Sequence, residues 1–215
     1  MFASSPRAPS PVQAAQRRYN GGEVDSPSRN LARFIDTIAA TYLKGLDAVM
    51  IYRTDRYGRG GDQTEMLNAG FPAVRITEAA ENYDRQHQDV RAENGRAFGD
   101  VLSGVDVPYL ARVTRLNVVA LAALARAPAP PQGVKIEGAV TPDTTLSWST
   151  VHGAARYRVH WRSTTVPQWE HAQDVTGVTT TLRGVVIDDW LFGVSSVSAD
   201  GFKSPVVFPG PAGSF

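Results

Sequence analysis

The chemistry available to this chain starts from four histidines and no cysteine. Without thiolates there can be no disulfide, no thiolate zinc site and no cysteine nucleophile, so a bound metal would need imidazole and carboxylate groups. His87 is flanked in sequence by Glu78, Glu81, Asp84 and Asp89. Catalytic zinc takes about three protein ligands and keeps one position open. A single imidazole among such acids is therefore one member of a ligand set. The same acids alternate with Arg75, Arg85 and Arg91, which is also the pattern of a solvated ion-pair network. His152, His160 and His171 are scattered and read as surface or strand residues. Upstream, Arg59-Gly60-Gly61-Asp62 puts a guanidinium and a carboxylate into one loop. Asp62 with Glu65 has the spacing of a capping box, so Asp62 reads as a helix cap that could also face a cleft at a sheet edge. Tyr83 reads as a partly buried structural residue or a pocket wall.

Bulk properties exclude some partners. Lys and Arg total 22 against 21 Asp and Glu, a balance that provides no field to recruit nucleic acid or an acidic membrane surface. The first twenty residues lack the apolar run of a signal peptide. The longest apolar stretch, 118–125, is well short of the roughly 20 residues that cross a bilayer, so no membrane span and a soluble protein are expected.

The elements that must hold these residues follow from periodicity. Residues 1–25, rich in Ser, Pro, Ala and Arg without a period, read as a disordered leader. Ser26-Pro27 opens a helix in which Leu31, Phe34, Ile35, Ile38 and Tyr42 recur at helical spacing, ending at Gly45. Ala48 to Tyr52 and Ala73 to Thr77 read as strands buried on both faces. A short helix, 63–69, lies between them. Residues 78–99 have no sustained period, and so long a loop in a compact unit points to function. A long helix from Asp106 carries Leu110, Val113, Leu116, Ala120, Leu121 and Leu124 along one stripe. The Pro-rich stretch 128–132 reads as a spacer leaving few contacts between its neighbours. From 133 to 215, short alternating runs at Leu146–Trp148, Tyr157–Trp161, Thr181–Leu182, Phe192–Val197 and Val206–Phe208 predict an all-β sandwich with Trp148, Tyr157 and Trp161 in its core.

Taken together, Arg59-Gly60-Gly61-Asp62, the run Ala69-Gly70-Phe71-Pro72-Ala73-Val74-Arg75-Ile76-Thr77-Glu78, Glu81-Asn82-Tyr83 and Gln86-His87-Gln88-Asp89-Val90-Arg91 resemble the dizinc aminopeptidase family in its bacterial exported branch. The resemblance covers roughly residues 20–130 and implies the C-terminal part of an α/β unit with a mixed sheet (26–127). The segment 133–215 resembles a fibronectin type III-like domain. The resemblance implies a cofactor of two zinc ions, a peptide substrate trimmed from its N-terminus, and a secreted or periplasmic location. It matches His87 to a zinc ligand, with Arg59, Asp62 and Tyr83 at the substrate pocket. The family's early His-x-Asp element and Glu-Glu pair have no counterpart in this sequence, so the expectation is inactivity alone and a possible complementary upstream half as partner. The other reading is a non-catalytic adaptor that binds a protein or glycan.

Overall fold

The structure, a computed structural model, describes residues 25–52 and 60–210, with the backbone of Phe2–Ala3. The first strand, β1, is Phe2–Ala3. Helix α1 spans Pro27–Tyr42 and starts as expected: Ser26 Oγ accepts the Arg29 N–H at 3.1 Å and Pro27 occupies the first turn. Helix α2 is Gln63–Asn68, followed by β2 at Val74–Arg75. A hairpin of β3 (Arg91–Glu93) and β4 (Arg96–Phe98) precedes the long helix α3, Val107–Arg126. The Asp106 carboxylate caps α3 by accepting the Tyr109 N–H at 2.9 Å, satisfying one of the donors that a helix start leaves open.

Helices α1 and α3 pack through small and branched side chains, with Ala32, Ile35, Ile38 and Ala39 against Leu116, Ala120 and Ala123. The stripe expected on α3 is only partly covered. Leu116 and Ala120 are inside, while Leu110 and Leu121 are 53% and 66% exposed. By length and composition α3 could cross a membrane, but Arg112 and Arg115 interrupt it and its buried residues face α1.

The two expected buried strands differ from expectation. Ala48 to Tyr52 forms a single β-bridge at Ile51, with Val49 61% exposed. Only Val74–Arg75 of the second run is a strand, paired antiparallel with β1. Every strand pairing among the described residues is antiparallel, so the mixed sheet of an α/β unit is not assembled among them. An apolar strand of this type needs a ladder on each edge and cover on each face; among the described residues β2 is paired on one edge only, and Val49 is largely exposed. The leader expectation is corrected at Phe2–Ala3, which pair with β2, and at Asp25, whose side chain is fully buried. Residues 4–24 lie outside the described residues.

The remaining strands are β5 (Lys135–Glu137), β6 (Thr144–Ser147), β7 (Arg156–Ser163), β8 (His171–Val175), β9 (Thr179–Leu182) and β10 (Trp190–Val197). They form two three-stranded sheets, β5-β6-β9 and β10-β7-β8. Leu146 and Leu182 from one sheet meet Tyr157, Val159, Phe192 and Val194 from the other, and alternation along each strand builds this sandwich core. Trp148 packs on Tyr157 at 5.3 Å between centroids, and the Tyr157 hydroxyl accepts the Val151 N–H at 2.8 Å. Val207 bridges Val194 in both directions, at 2.8 and 2.9 Å, so the last segment lies against the free edge of β10.

The Pro-rich stretch does not leave its neighbours loosely tethered. Pro131 is buried, and Ser196 Oγ donates to the Ala129 carbonyl at 2.6 Å. Helix α1 lies by the outer face of the β10-β7-β8 sheet. Its Arg33 donates to the Pro167 carbonyl at 2.6 Å and pairs with Asp25, and Arg162 of β7 reaches the other Asp25 oxygen at 2.7 Å. Asn30 Oδ1 accepts from Arg33 at 2.9 Å. Trp169 seats against Gly193, where a Cβ would lie 3.1 Å from the indole and 2.3 Å from Val206; only glycine permits that approach. Phe202 from the sandwich packs against the helical core, and Arg126 lies 4.0 Å over its ring.

Candidate functional site

The loop holding His87 is built by local backbone chemistry. Asn94 and Gly95 have φ of 51° and 76°, which closes the β3–β4 hairpin in the manner favoured by an Asn-Gly pair. At its base the Gly99 N–H donates to the Asp84 carbonyl at 2.8 Å. Gly99 has a φ of 95°, and a Cβ there would fall 2.6 Å from the Val90 backbone, so no other residue closes the loop this way. The hairpin's side chains hold it further: Arg96 pairs with Asp84 at 2.6 Å, and Arg91 lies 4.2 Å over Phe98.

His87 sits in the turn leading into this hairpin, exposed and with a φ of 53°, a left-handed conformation that is uncommon for a residue with a side chain. Two of the surrounding acids, Glu81 and Asp84, are engaged locally. Glu81 accepts from Gln86 at 3.0 Å, and Arg91 bonds Gln88 at 3.0 Å and Glu93 at 3.2 Å. The ion pairs thus use Arg96 and Glu93 in addition to residues singled out from the sequence, and Arg75 turns instead to the Gly60 carbonyl. No group of three or more His, Asp or Glu side chains converges among the described residues. His87 presents an accessible imidazole, but its neighbours do not bring a second and third ligand to it, so the described residues do not by themselves fit a zinc ion.

Asp62 precedes α2 yet makes no side-chain capping bond. Its backbone is already helical, with φ −59° and ψ −25°, whereas a capping side chain works from an extended backbone. The cap reading is therefore replaced by an exposed carboxylate at the helix start. Tyr83 is 63% exposed, which removes the partly buried structural reading. Arg59 lies outside the described residues. Near the His87 loop, a hollow of about 210 Å³ lies between α1 and α3, with Ile35, Val49, Ile76 and Val113 in its wall and Glu78 and Glu81 among its lining.

A second concave site was not read from the sequence. A cleft of about 390 Å³ separates α1 from the outer face of the β10-β7-β8 sheet. His160 bonds Ser195 Oγ at 2.9 Å, and burial, assisted by the fields of Arg158 and Lys203, lowers its pKa to about 3. Partial desolvation and then Arg158 hold the Lys203 ammonium below its ordinary value. Burial, with Asp47 second, raises Asp36 on the opposite wall. The available signal was alternation: Arg156, Arg158, His160 and Arg162 occupy the sheet face opposite Tyr157 and Val159, and a basic stripe there marks a face to be covered by something polar.

No family model matches the chain. In sequence it is 44% identical over 217 residues to a protein of Pyrenophora teres f. teres named "Probable zinc metalloprotease", an alignment covering 98% of this chain and 45% of that protein. A protein of the same description from Leptosphaeria maculans is 45% identical over 214 residues, covering 98% of this chain and 50% of the relative. One from Pyricularia oryzae is 40% identical over 215 residues, with 96% and 43% covered. These relatives are fungal, not bacterial as the resemblance suggested. Among solved structures, the FN3tt mutant aligns with a TM-score of 0.33 and 19% identity over 38% of this chain and 90% of its own. An Fn3-like protein from Clostridium thermocellum gives 0.31 and 25%, over 37% and 85%. The chain spans about half the length of the curated relatives it matches, and along nearly all of its own length it is similar to proteins named as zinc metalloproteases.

Proposed function

We propose that this chain is the C-terminal portion of a secreted zinc aminopeptidase of the dizinc type, which trims N-terminal residues from peptides when completed by an upstream half. His87 contributes one zinc ligand, and Arg59, Asp62 and Tyr83 line the approach of the substrate. The observation that carries this reading is the similarity of nearly the whole chain to about half of each zinc metalloprotease relative. The open apolar hollow beside Glu78 and Glu81, with exposed Val49 at its wall, supports it as the place where the other half is received. Because the described residues alone do not fit the metal, no reaction step is assigned to them.

The test is complementation. The chain is co-expressed with the remaining half of the Pyrenophora teres relative, and hydrolysis of an amino-acid anilide is followed with zinc present and after chelation. The reading expects no turnover by either half alone and chelator-sensitive turnover by the pair, reduced at least about a hundredfold by His87→Ala. Turnover by the pair that is indifferent to His87→Ala would overturn the ligand assignment, and zinc-dependent cleavage restricted to internal peptide bonds would overturn the aminopeptidase assignment.

A further inference from the structure

We infer that the cleft between α1 and the outer face of the sandwich binds the carboxylate end of a peptide whose last side chain is large and apolar. This assignment is independent of the metallopeptidase reading. The cleft, at about 390 Å³, lies in the size range of small-ligand sites and at a junction between two packed units, where such sites concentrate. Its apolar lining comes from both sides, with Phe34 and Ile38 on α1 and Trp169, Phe202 and Val206 on the sandwich. Gly193 lets Trp169 approach the sheet closely as a wall, and an aromatic wall offers large contact area.

Charge sets the orientation of the ligand. Lys203 lines the cleft, is exposed, and forms no ion pair of its own among the described residues. Around it stand Arg156 and Arg158, and Asp174 serves both of these, at 3.1 Å and 3.0 Å. Three cations thus share one carboxylate at this end. Burial is the main cause of the downward displacement of both His160 and Lys203, and Arg158 adds to each. The other acids of the cleft stand elsewhere: Glu170 accepts the Ser163 N–H at 2.8 Å, and Asp36 is held by Gln168 on the α1 side. An anionic group at Lys203, with an apolar side chain between Phe34 and Trp169, satisfies both features. A free peptide terminus carries both groups on its last residue.

The test is calorimetric titration of the whole chain with N-acetyl-Gly-Gly-Phe bearing either a free carboxylate or a C-terminal amide. Saturable binding of the acid is expected, weakened about tenfold or more by amidation and by Lys203→Met, the scale of one charge-assisted contact. Thr37→Trp, which fills the cleft from the exposed face of α1, should abolish binding. Thermal melting of each variant checks that the fold is retained. Equal binding of acid and amide, binding unchanged by Lys203→Met in a folded variant, or no saturable binding of the acid would overturn the assignment.

Discussion

The sandwich and the helical region both carry many apolar residues but complete their packing to different degrees. In the sandwich, β7 and β10 pair over eight consecutive residues, and Leu146, Val159 and Val194 are fully buried. In the helical region β1 and β2 pair over two residues, and Val49, Phe71, Leu110 and Leu121 all remain more than half exposed. Isolated apolar side chains on a surface are ordinary. Four of them in one small region, with Val49 in the wall of the hollow, describe a surface shaped for a further layer. The difference teaches that a strand which alternates can be finished by its own sheet, whereas an apolar run meant for burial on both faces depends on neighbours elsewhere in sequence.

Between the two regions lies the Asp25, Arg33 and Arg162 cluster, and disrupting it should have the largest effect. Burial pulls the Arg162 guanidinium below its ordinary range, with Asp25 opposing that shift. Arg33 Nη2 and Arg162 Nε find no acceptor among the described residues, so the single carboxylate is needed by both cations. Asp25→Ala should cost about 3–5 kcal/mol, the scale for leaving buried charge uncompensated, and split one melting transition into two. A single transition with little loss would show that the regions are joined by other contacts.

Matched truncations sharpen the contrast. Leu146→Ala, in the closed sandwich core, should cost about 3–4 kcal/mol, and Leu116→Ala, on a helix whose surroundings can collapse, only about 2 kcal/mol. Denaturant melts of both variants check the order, and a reversal would mean that the helical core is the tighter one.

Per unit of pH, the smallest effect is the one assigned to His160. Its folded pKa lies near 3 against an ordinary 6.5, so between those values the unfolded chain takes up a proton that the native chain refuses. Stability should therefore fall by up to about 1.4 kcal/mol per unit as pH drops through that window. Above 6.5 both states are neutral and the residue contributes no slope. His160→Gln should flatten this acid limb in melts between pH 4 and 7, and an unchanged slope would assign the limb to the carboxylates.

The elements legible in the sequence were those with a complete local code. Ser26-Pro27 marked the start of α1, and the alternation of Tyr157, Val159 and Trp161 marked β7. Strand β8 was missed because His171 to Asp174 are all exposed at a sheet edge and no apolar alternation survives there. The β3–β4 hairpin lies in a stretch without period, although Asn94-Gly95 carries its signal. Arg33 was passed over because a charge on a helix is usually solvated, and only the fold brings Asp25 and Arg162 to it. Within the candidate site, His87 was legible as a lone imidazole in a long loop. Asp62 misled because capping-box spacing does not fix the backbone angle a cap requires.

The most direct test of the account is metal content. The chain joined to the remaining half of the Pyrenophora teres relative, purified and dialysed, should hold zinc at a fixed stoichiometry by elemental analysis, and His87→Ala should lose at least one ion per molecule while the protein remains folded. Equal zinc content in the joined protein and its His87→Ala variant would contradict the placement of His87 at the metal.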